Sequence, residues 1–216
     1  MQIYKKYLSI IIPIYNEEGN ILKLYNKIIS SLEASRLSNY EIIFINDGST
    51  DDSATLLYQI SKKDFNAKII NLVTNQGQTA AISAGIEYSQ GEIIIPMDGD
   101  LQNDPKDIPN LIDKLNEGFD VVSGWRKHRK DKTISRILPS KIANWIVSKI
   151  SGVYLHDYGC SLKAYRSDII KNIKLYGEMH RFIPVFSYWQ GGKIEEIVVA
   201  HHPRKHGKTS YGISRT

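Results

Sequence analysis

Between Leu8 and Gly124, short apolar runs alternate with longer stretches of helical spacing. The runs Leu8–Tyr15, Glu41–Ile45, Lys68–Val73, Ile93–Met97 and Asp120–Ser123 have the length and apolar character of strands. Between the first two, Ile21, Leu22, Leu24, Tyr25, Ile28, Ile29 and Leu32 fall at helical spacing in a helix expected from about Glu17 to Glu33, with Asn16 as its cap. A second helix is expected from a cap at Thr50 or Asp51 through about Ser61. A third spans Gly77–Tyr88 and carries the small residues Ala80, Ala81 and Ala84. Pro105 suits the first turn of a fourth, reaching about Asn116. Strand and helix in alternation predict a mostly parallel sheet with crossover helices, an α/β fold.

After Gly124 the pattern changes. A basic loop, Trp125–Thr133, leads into an amphipathic helix expected over Ile134–Ile150, with Ile137, Leu138, Ile142, Trp145 and Ile146 as its apolar stripe. Packing of that stripe on the sheet is the expectation. A helix lying at a membrane surface is the alternative, because basic amphipathic helices with Trp do so. A strand near Ser161–Tyr165, a helix near Met179–Trp189 and a strand near Ile194–Val199 follow. The tail, His201–Thr216, has no hydrophobic period and reads as a loop. Neither a repeat nor a linker interrupts the chain, so residues 1–216 read as one domain.

Composition changes this picture little. With 42% hydrophobic and 24% charged residues, the 216-residue chain is an ordinary globular protein. A single cysteine, Cys160, excludes a disulfide within the chain and a four-cysteine zinc site, fits a reducing compartment, and reads as a small buried hydrophobe. No run approaches the ~18 apolar residues of a membrane span. Leu8–Ile14 is short and followed by Asn16-Glu17-Glu18, so it reads as a strand and not a secretory signal. The chain is therefore expected to be soluble or peripheral.

Charge matters through its distribution. The net charge is +5, and between Trp125 and Lys149 eight Lys/Arg face one acid, Asp131. Such a block attracts phosphates, acidic headgroups or nucleic acid. No recognition-helix, RRM or zinc-finger pattern accompanies it, so nucleic acid is not an expected partner. The neighbours His201 and His202 would point to opposite faces of a strand, which argues against a shared metal with His206.

The candidate chemistry sits at the ends of strands. Glu92–Gln102 is an apolar run closed by Asp98, Asp100 and Gln102. In open α/β sheets the C-terminal tips of the strands are where ligands bind. Two hard oxygen ligands there suit Mg²⁺ or Mn²⁺ bridging to a diphosphate. Two other strand ends share that edge: Pro13-Ile14-Tyr15-Asn16-Glu17-Glu18 and Asn46-Asp47-Gly48-Ser49-Thr50-Asp51. The carboxylate of Asp47 can accept from a base N–H or a ribose hydroxyl, and Gly48 would permit close approach. Each motif alone is a common turn or helix start; their order on successive strand ends is far more specific.

On these residues the chain resembles the family 2 inverting glycosyltransferases of the GT-A fold. More narrowly it resembles their polyprenyl-phosphate branch, to which dolichol-phosphate mannose synthases and undecaprenyl-phosphate glucosyltransferases belong. Further matching pieces are Asn75-Gln76-Gly77-Gln78, the Asp-Leu-Gln-x-x-Pro continuation to Pro105, Ser123-Gly124-Trp125-Arg126, His180-Arg181-Phe182-Ile183-Pro184 and Arg204–Gly212. The resemblance implies a Rossmann-like central sheet flanked by helices, with a nucleotide-sugar half over residues 1–125 and an acceptor half over 126–216. It implies that Pro13, Tyr15, Glu17, Asp47 and Gly77 line the nucleotide-sugar pocket, and that Asp98, Asp100 and Gln102 hold Mg²⁺ or Mn²⁺ and the diphosphate. Arg126 would meet a phosphate, and Arg204 would fold over the donor diphosphate. The family's tail often reads Gly-x-Ser-Lys-Tyr, whereas this chain has Gly207-Lys208-Thr209-Ser210-Tyr211, so a phosphate contact there falls to Lys208 or Arg204.

The partners implied are a nucleotide-sugar donor, UDP-glucose as the first choice, and a polyprenyl-phosphate acceptor at the cytoplasmic face of a membrane. A homo-oligomer is compatible with all of this. The family commonly continues into membrane-spanning helices, which implies a catalytic domain cut from a longer protein. A polyprenyl monophosphate is already anionic and needs no general base. The alternative is a sugar-hydroxyl acceptor in cell-surface polysaccharide synthesis. That would need a carboxylate base, for which Asp157 is the candidate.

Overall fold

The computed structural model describes residues 7–128 and 144–204. Seven strands form one sheet: β1 (Leu8–Ile14), β2 (Tyr40–Asn46), β3 (Ala67–Asn71), β4 (Ile93–Pro96), β5 (Val121–Trp125), β6 (Lys163–Arg166) and β7 (Ile194–Val198), in the order β3-β2-β1-β4-β6-β5-β7. β1 pairs in parallel with β2 and with β4, and β2 with β3. β6 runs antiparallel to both β4 and β5, and β7 is parallel to β5. The chain thus steps outward from β1 to β3 and then crosses to β4 on the other side of β1. The crevice between the tips of β1 and β4 is the point where strand order reverses, the usual ligand position in such sheets.

Burial on both faces explains the unbroken apolar runs. Ile10, Ile12 and Ile14 of β1 point to one side of the sheet, into a cluster with Leu24 and Ile28 of α1 (Ile21–Ala34) and Leu111 and Leu115 of α4 (Ile108–Asn116). Ile11 points to the other side, beside Ile43 and Ile45 of β2 and Ala81, Ile82 and Ile86 of α3 (Gln78–Tyr88). α2 (Ser53–Lys63) adds Leu57 and Ile60 to the first cluster. Gly85 of α3 lets the helix lie against β1, since a Cβ there would fall 2.4 Å from Ile11 Cγ2.

Several boundaries differ from the sequence-based expectation. Asn16 does not cap α1, which begins at Ile21. It adopts a left-handed φ of 54°, and its side-chain oxygen accepts from Thr50 N at 2.8 Å, joining the β1 and β2 tips. Asp51 receives Ser53 N at 3.0 Å at the start of α2. The segments expected as single helices at Pro105 and Met179 each open with a 3-10 turn, Pro105–Asp107 and Met179–Phe182, before α4 and α7 (Ile183–Trp189). A short helix, α6 (Ser167–Ile170), follows β6.

Most of the expected basic loop and amphipathic helix lies outside the described residues, as does the tail beyond Arg204. Its last turns form α5, residues 144–151. Trp145 and Ile146, expected to pack on the sheet, are exposed instead. The inward face of α5 is carried by Val147, Ser148 and Ser151, the two serines lying near Tyr158 Oη.

Candidate active site

The tips of β1, β2 and β4 converge as the sequence implied. A cavity of about 620 Å³ opens there, lined by Pro13, Tyr15, Glu17, Asp47, Gly77, Asp98, Asp100, Gln102, Arg126 and Arg204. Among the described residues, every one singled out for the site is on its wall except Asp157, which is buried and paired with Arg126. The volume is that of an ordinary small-molecule site.

Asp47 follows β2 and is only 3% exposed. Its Oδ1 accepts from Gln76 N at 2.7 Å and its Oδ2 from Gly77 N at 2.9 Å. The carboxylate therefore pins the start of α3 as well as facing the cavity. The close approach foreseen for Gly48 is to protein backbone: a Cβ there would lie 2.6 Å from Asn75 N. Glu17, half-buried after β1, is held by Asn20 Nδ2 at 2.5 Å. Burial and the neighbouring Asp100 and Asp98 raise its pKa against the opposing pull of Asn20 and Arg204.

Asp98 and Asp100 leave the tip of β4 with Gly99 between them. A Cβ at Gly99 would meet Ile14 Cδ1 at 2.7 Å, so glycine is what lets this turn lie against β1. Asp98 Oδ1 accepts from Gln78 Nε2 at 2.7 Å. Ser161 Oγ sits between Asp98 Oδ2, at 2.7 Å, and Asn103 Oδ1, at 2.8 Å. Asp100 Oδ1 accepts from Gln102 N at 3.0 Å, while Oδ2 pairs with Arg204 Nη2 at 2.6 Å. Burial first, and then the charge of Asp100, push the pKa of Asp98 up, although Ser161, Arg126 and Arg204 oppose the shift. A carboxylate whose proton affinity is raised by a second one beside it marks a place where an added cation would be stabilised.

The donor set fits a hard divalent cation of one particular kind. Among the described residues, no group of three or more His, Cys, Asp or Glu forms a complete cage. Mg²⁺ commonly takes one or two carboxylates and fills its shell with water and substrate phosphate. Asp98, Asp100 and the amide oxygen of Gln102 offer that partial shell. Gln102 is also tied to the tail: its backbone oxygen accepts from His202 N at 2.8 Å.

Across the cavity stands Arg126, directly after β5. Its Nε and Nη2 donate to Asp157 Oδ2 and Oδ1 at 2.7 and 2.9 Å, a bidentate pair closed by Arg126 N at 3.3 Å. Burial opposes the guanidinium charge, but the hydrogen bonds and charge of Asp157 more than restore it and raise its pKa. Asp157 was the candidate for a role beside the acceptor, and for a base if that acceptor is a hydroxyl. The geometry instead has both of its oxygens engaged by a permanent cation, which suits a positioning residue for Arg126 and not a proton acceptor.

Sequence reasoning assigned no role to four further wall residues: Ser161, Lys163, His180 and Arg181. Lys163 of β6 is buried, and its ammonium donates to the carbonyl oxygens of Tyr158, at 3.0 Å, and of Cys160. Burial lowers its pKa. It secures the loop that carries both Asp157 and Ser161. A lysine inside the apolar run Leu162–Tyr165 was the available signal, because Lys is almost never buried without a partner. His180 Nδ1 shares a 2.6 Å hydrogen bond with Thr79 Oγ1, and burial lowers its pKa to about 3. Cys160 is fully buried, as expected, and burial pushes its thiol up to about 11. His202, considered as a metal ligand, pairs through Nε2 with Asp104 Oδ2 at 2.8 Å; Lys208 and His206 lie outside the described residues.

Comparison with known proteins identifies the family and the fold. The model of glycosyl transferase family 2 matches residues 9–181. A dodecaprenyl-phosphate galacturonate synthase of Rhizobium johnstonii is 47% identical over 97% of this chain and 63% of its own length. An undecaprenyl-phosphate 4-deoxy-4-formamido-L-arabinose transferase of Pseudomonas aeruginosa is 40% identical over 96% of this chain and 61% of its own. The chain thus spans a little under two thirds of these relatives. Glucosyl-3-phosphoglycerate synthase from Mycobacterium tuberculosis, solved with Mn²⁺ and UDP, has the same fold: the TM-score is 0.69 at 18% identity, over 93% of this chain and 73% of that one. The expected GT-A architecture is therefore the one this chain adopts, and the chain belongs to glycosyl transferase family 2.

Proposed function

We propose that this chain moves a sugar from a nucleoside diphosphate donor to a polyprenyl phosphate, with inversion at the anomeric carbon. The observation that carries the reading is one cavity lined by the Asp98/Asp100 pair and by two arginines, Arg204 paired with Asp100 and Arg126 held separately by Asp157. A reaction between two phosphate-bearing substrates needs positive charge at two places, one for the departing diphosphate and one for the incoming phosphate.

Asp98, Asp100 and Gln102 would hold Mg²⁺ or Mn²⁺, which when bound supplies Lewis-acid stabilisation to the leaving group. Gln78 and Ser161 fix the orientation of Asp98 for that task. Pro13, Tyr15, Glu17, Asp47 and Gly77 wall the nucleotide side. Arg126, held flat by Asp157, meets the acceptor phosphate. An acceptor oxygen forms a bond to the anomeric carbon as the carbon–oxygen bond to the diphosphate breaks, its electron pair leaving with the diphosphate. No proton need be removed, because a phosphomonoester with a second pKa of about 6 is anionic at neutral pH. A hydroxyl acceptor would require a free carboxylate, and the bidentate pairing of Asp157 favours the phosphate reading.

The acceptor side also presents apolar surface. Trp145, Ile150, Tyr154 and Trp189 are 62% to 81% exposed, and Trp189 Nε1 donates to Ser151 O, placing α7 beside the end of α5. Aromatic and aliphatic side chains of this kind suit the headgroup level of a bilayer, where a lipid-linked acceptor would be met. No helix among the described residues is long and apolar enough to cross a membrane.

Transfer of radiolabel to a short polyprenyl phosphate in detergent tests the reading, with Mn²⁺ and with EDTA. UDP-glucose, the donor expected from sequence, would be run beside UDP-galacturonate and UDP-4-deoxy-4-formamido-L-arabinose, the sugars named in the two relatives. Metal-dependent label in the lipid from one of them is the expected result. Label in a sugar hydroxyl and none in any lipid would move the function to polysaccharide synthesis.

A further inference from the structure

We infer that Arg204 and the divalent cation compete for the same oxygen of Asp100, so that cation binding is the event that frees Arg204 to engage the donor. This rests on the proposed function and adds an order of events to it.

Asp100 presents its two oxygens differently. Oδ1 accepts from Gln102 N at 3.0 Å within its own loop. Arg204 Nη2 sits 2.6 Å from Oδ2. A guanidinium hydrogen bond of that length takes up one of the lone-pair directions of Oδ2. A divalent cation brought to the same oxygen would be repelled by the guanidinium, so each weakens the other's hold on Oδ2. The charge of Arg204 also bears on Glu17 and Asp98, which places it among all the carboxylates of this cluster.

The tail is built to allow the exchange without losing its place. His202 N donates to Gln102 O at 2.8 Å, His202 Nε2 pairs with Asp104 at 2.8 Å, and Asn103 and His201 form an isolated antiparallel bridge. The backbone at 201–202 is thereby fastened to the loop that carries Asp98, Asp100 and Gln102. Arg204 lies two residues beyond the anchor, with its side chain 26% exposed. A rotation of that side chain takes the guanidinium from a carboxylate to a neighbouring diphosphate, while the anchored backbone keeps it in range. Arg204 thus serves as an internal counter-ion before the cation arrives and as a donor-binding residue afterwards.

The consequence is a reversal of sign that a merely structural role would not give. In R204Q, Mn²⁺ binding to the full chain without nucleotide, followed by the free-ion paramagnetic resonance signal or by calorimetry, should tighten. Loss of a competing ion pair that is a quarter exposed should be worth roughly fivefold. Binding of UDP or GDP in saturating Mn²⁺ should weaken by roughly tenfold, because a charge-assisted contact is lost. H202A, which loosens the anchor and keeps the guanidinium, should tighten Mn²⁺ by roughly twofold on the same argument. Unchanged or weakened Mn²⁺ affinity in R204Q overturns the exchange, while nucleotide binding that still requires Mn²⁺ leaves the proposed function standing. No Mn²⁺ binding by either protein, with or without nucleotide, overturns both.

Discussion

The two walls of the cavity are held by different means. On the side proposed for the donor, backbone amides hold two carboxylates: Asp47 is fixed by those of Gln76 and Gly77, and Oδ1 of Asp100 by that of Gln102. Those amides belong to loops at the tips of parallel strands, and the sheet fixes the loops. On the acceptor side the functional groups are fixed by other side chains far away in sequence. Arg126 is held by Asp157, 31 residues on, and His180 by Thr79, across 101; Asp98, where the two walls meet, is held by Ser161, 63 residues on. Backbone anchors survive most single substitutions, whereas side-chain anchors are lost with either partner. The acceptor wall should accordingly be the easier one to disable without unfolding the protein.

The largest effect expected is on the donor wall, at the group that the backbone cannot replace. D100A should lower sugar transfer by about a thousandfold or more, the scale of losing a preorganised charge contact in a reaction centre. Its far-UV dichroism and melting should change little, because Asp100 sits on a loop beyond β4 and fills no part of the core. Transfer rate and melting measured on one preparation check this; a near-normal rate would remove Asp100 from the site.

The next largest effect tests the acceptor wall directly. R126M should cost about a hundredfold in transfer, with the loss carried by the acceptor and the donor KM nearly unchanged. D157N should cost almost as much, because an amide cannot return the bidentate charge pair that orients the guanidinium. The double variant should be no worse than R126M alone, which is the signature of residues acting as one unit. If the two losses multiply, Asp157 has a task of its own, and the role of base for a hydroxyl acceptor returns.

This contrast also explains what could be read from the sequence. The donor wall was legible because its determinants are local: a continuous apolar run, then Asp98-Gly99-Asp100, places carboxylates at a strand tip whatever the rest of the chain does. The alternation of Ile residues in β1 across two clusters, and the crossover helices that cover both faces, follow from the same short-range pattern. The acceptor wall was not legible in this way. Asp157 looked like a turn aspartate open to the acceptor, since nothing nearby in sequence discloses Arg126. Asn16 had the composition of a helix cap, but a contact to Thr50 drew it into a left-handed turn. Trp145 and Ile146 satisfied a helical stripe, yet two serines nearby took the buried face because Tyr158 offers them a hydrogen-bonding partner. For Asp157 and Asn16 the pairing that overrode the local pattern is long-range; for the serines of α5 it comes from the next loop.

A smaller effect separates stability from function at the junction of the walls. Asp98 has its pKa raised chiefly by burial and then by Asp100. A carboxylate shifted upward stabilises the fold only while protonated; that contribution is lost as pH rises through its folded pKa, so the ionised form costs stability at neutral pH. D98N should therefore raise the melting temperature by about 2–4 °C at pH 7.5. Its amide can still accept from Gln78 and meet Ser161. Transfer should fall sharply in the same variant, since stability and activity pull against each other at such sites. The gain should shrink in acid, where Asp98 is protonated in both states. Calorimetric scans at several pH values check both signs, and a lower melting temperature at pH 7.5 would mean that the ionised carboxylate is stabilised where it stands.

The smallest effect concerns a charge that the acceptor wall withholds. Burial, helped by Arg181 and Lys163, lowers His180 to about 3 from an ordinary value of 6.5. Between those values the unfolded chain binds a proton that the folded chain does not. Stability is then full above about pH 6.5 and falls as pH drops toward 3, with a slope of up to about 1.4 kcal/mol per pH unit. H180Q keeps a hydrogen-bonding group for Thr79 and cannot titrate, so its acid limb should be shallower by about one proton in denaturant unfolding between pH 4 and 6. Glu17 and Asp98, with raised values, act in the opposite sense, which is why the comparison is of variant with parent. A shallower limb means that His180 stays neutral in the folded protein and adds no positive charge to the wall it shares with Arg126 and Arg181. Parallel limbs would mean that His180 protonates near its ordinary value of 6.5, and the acceptor wall would then gain a cation in mild acid, drawing an anionic acceptor more tightly.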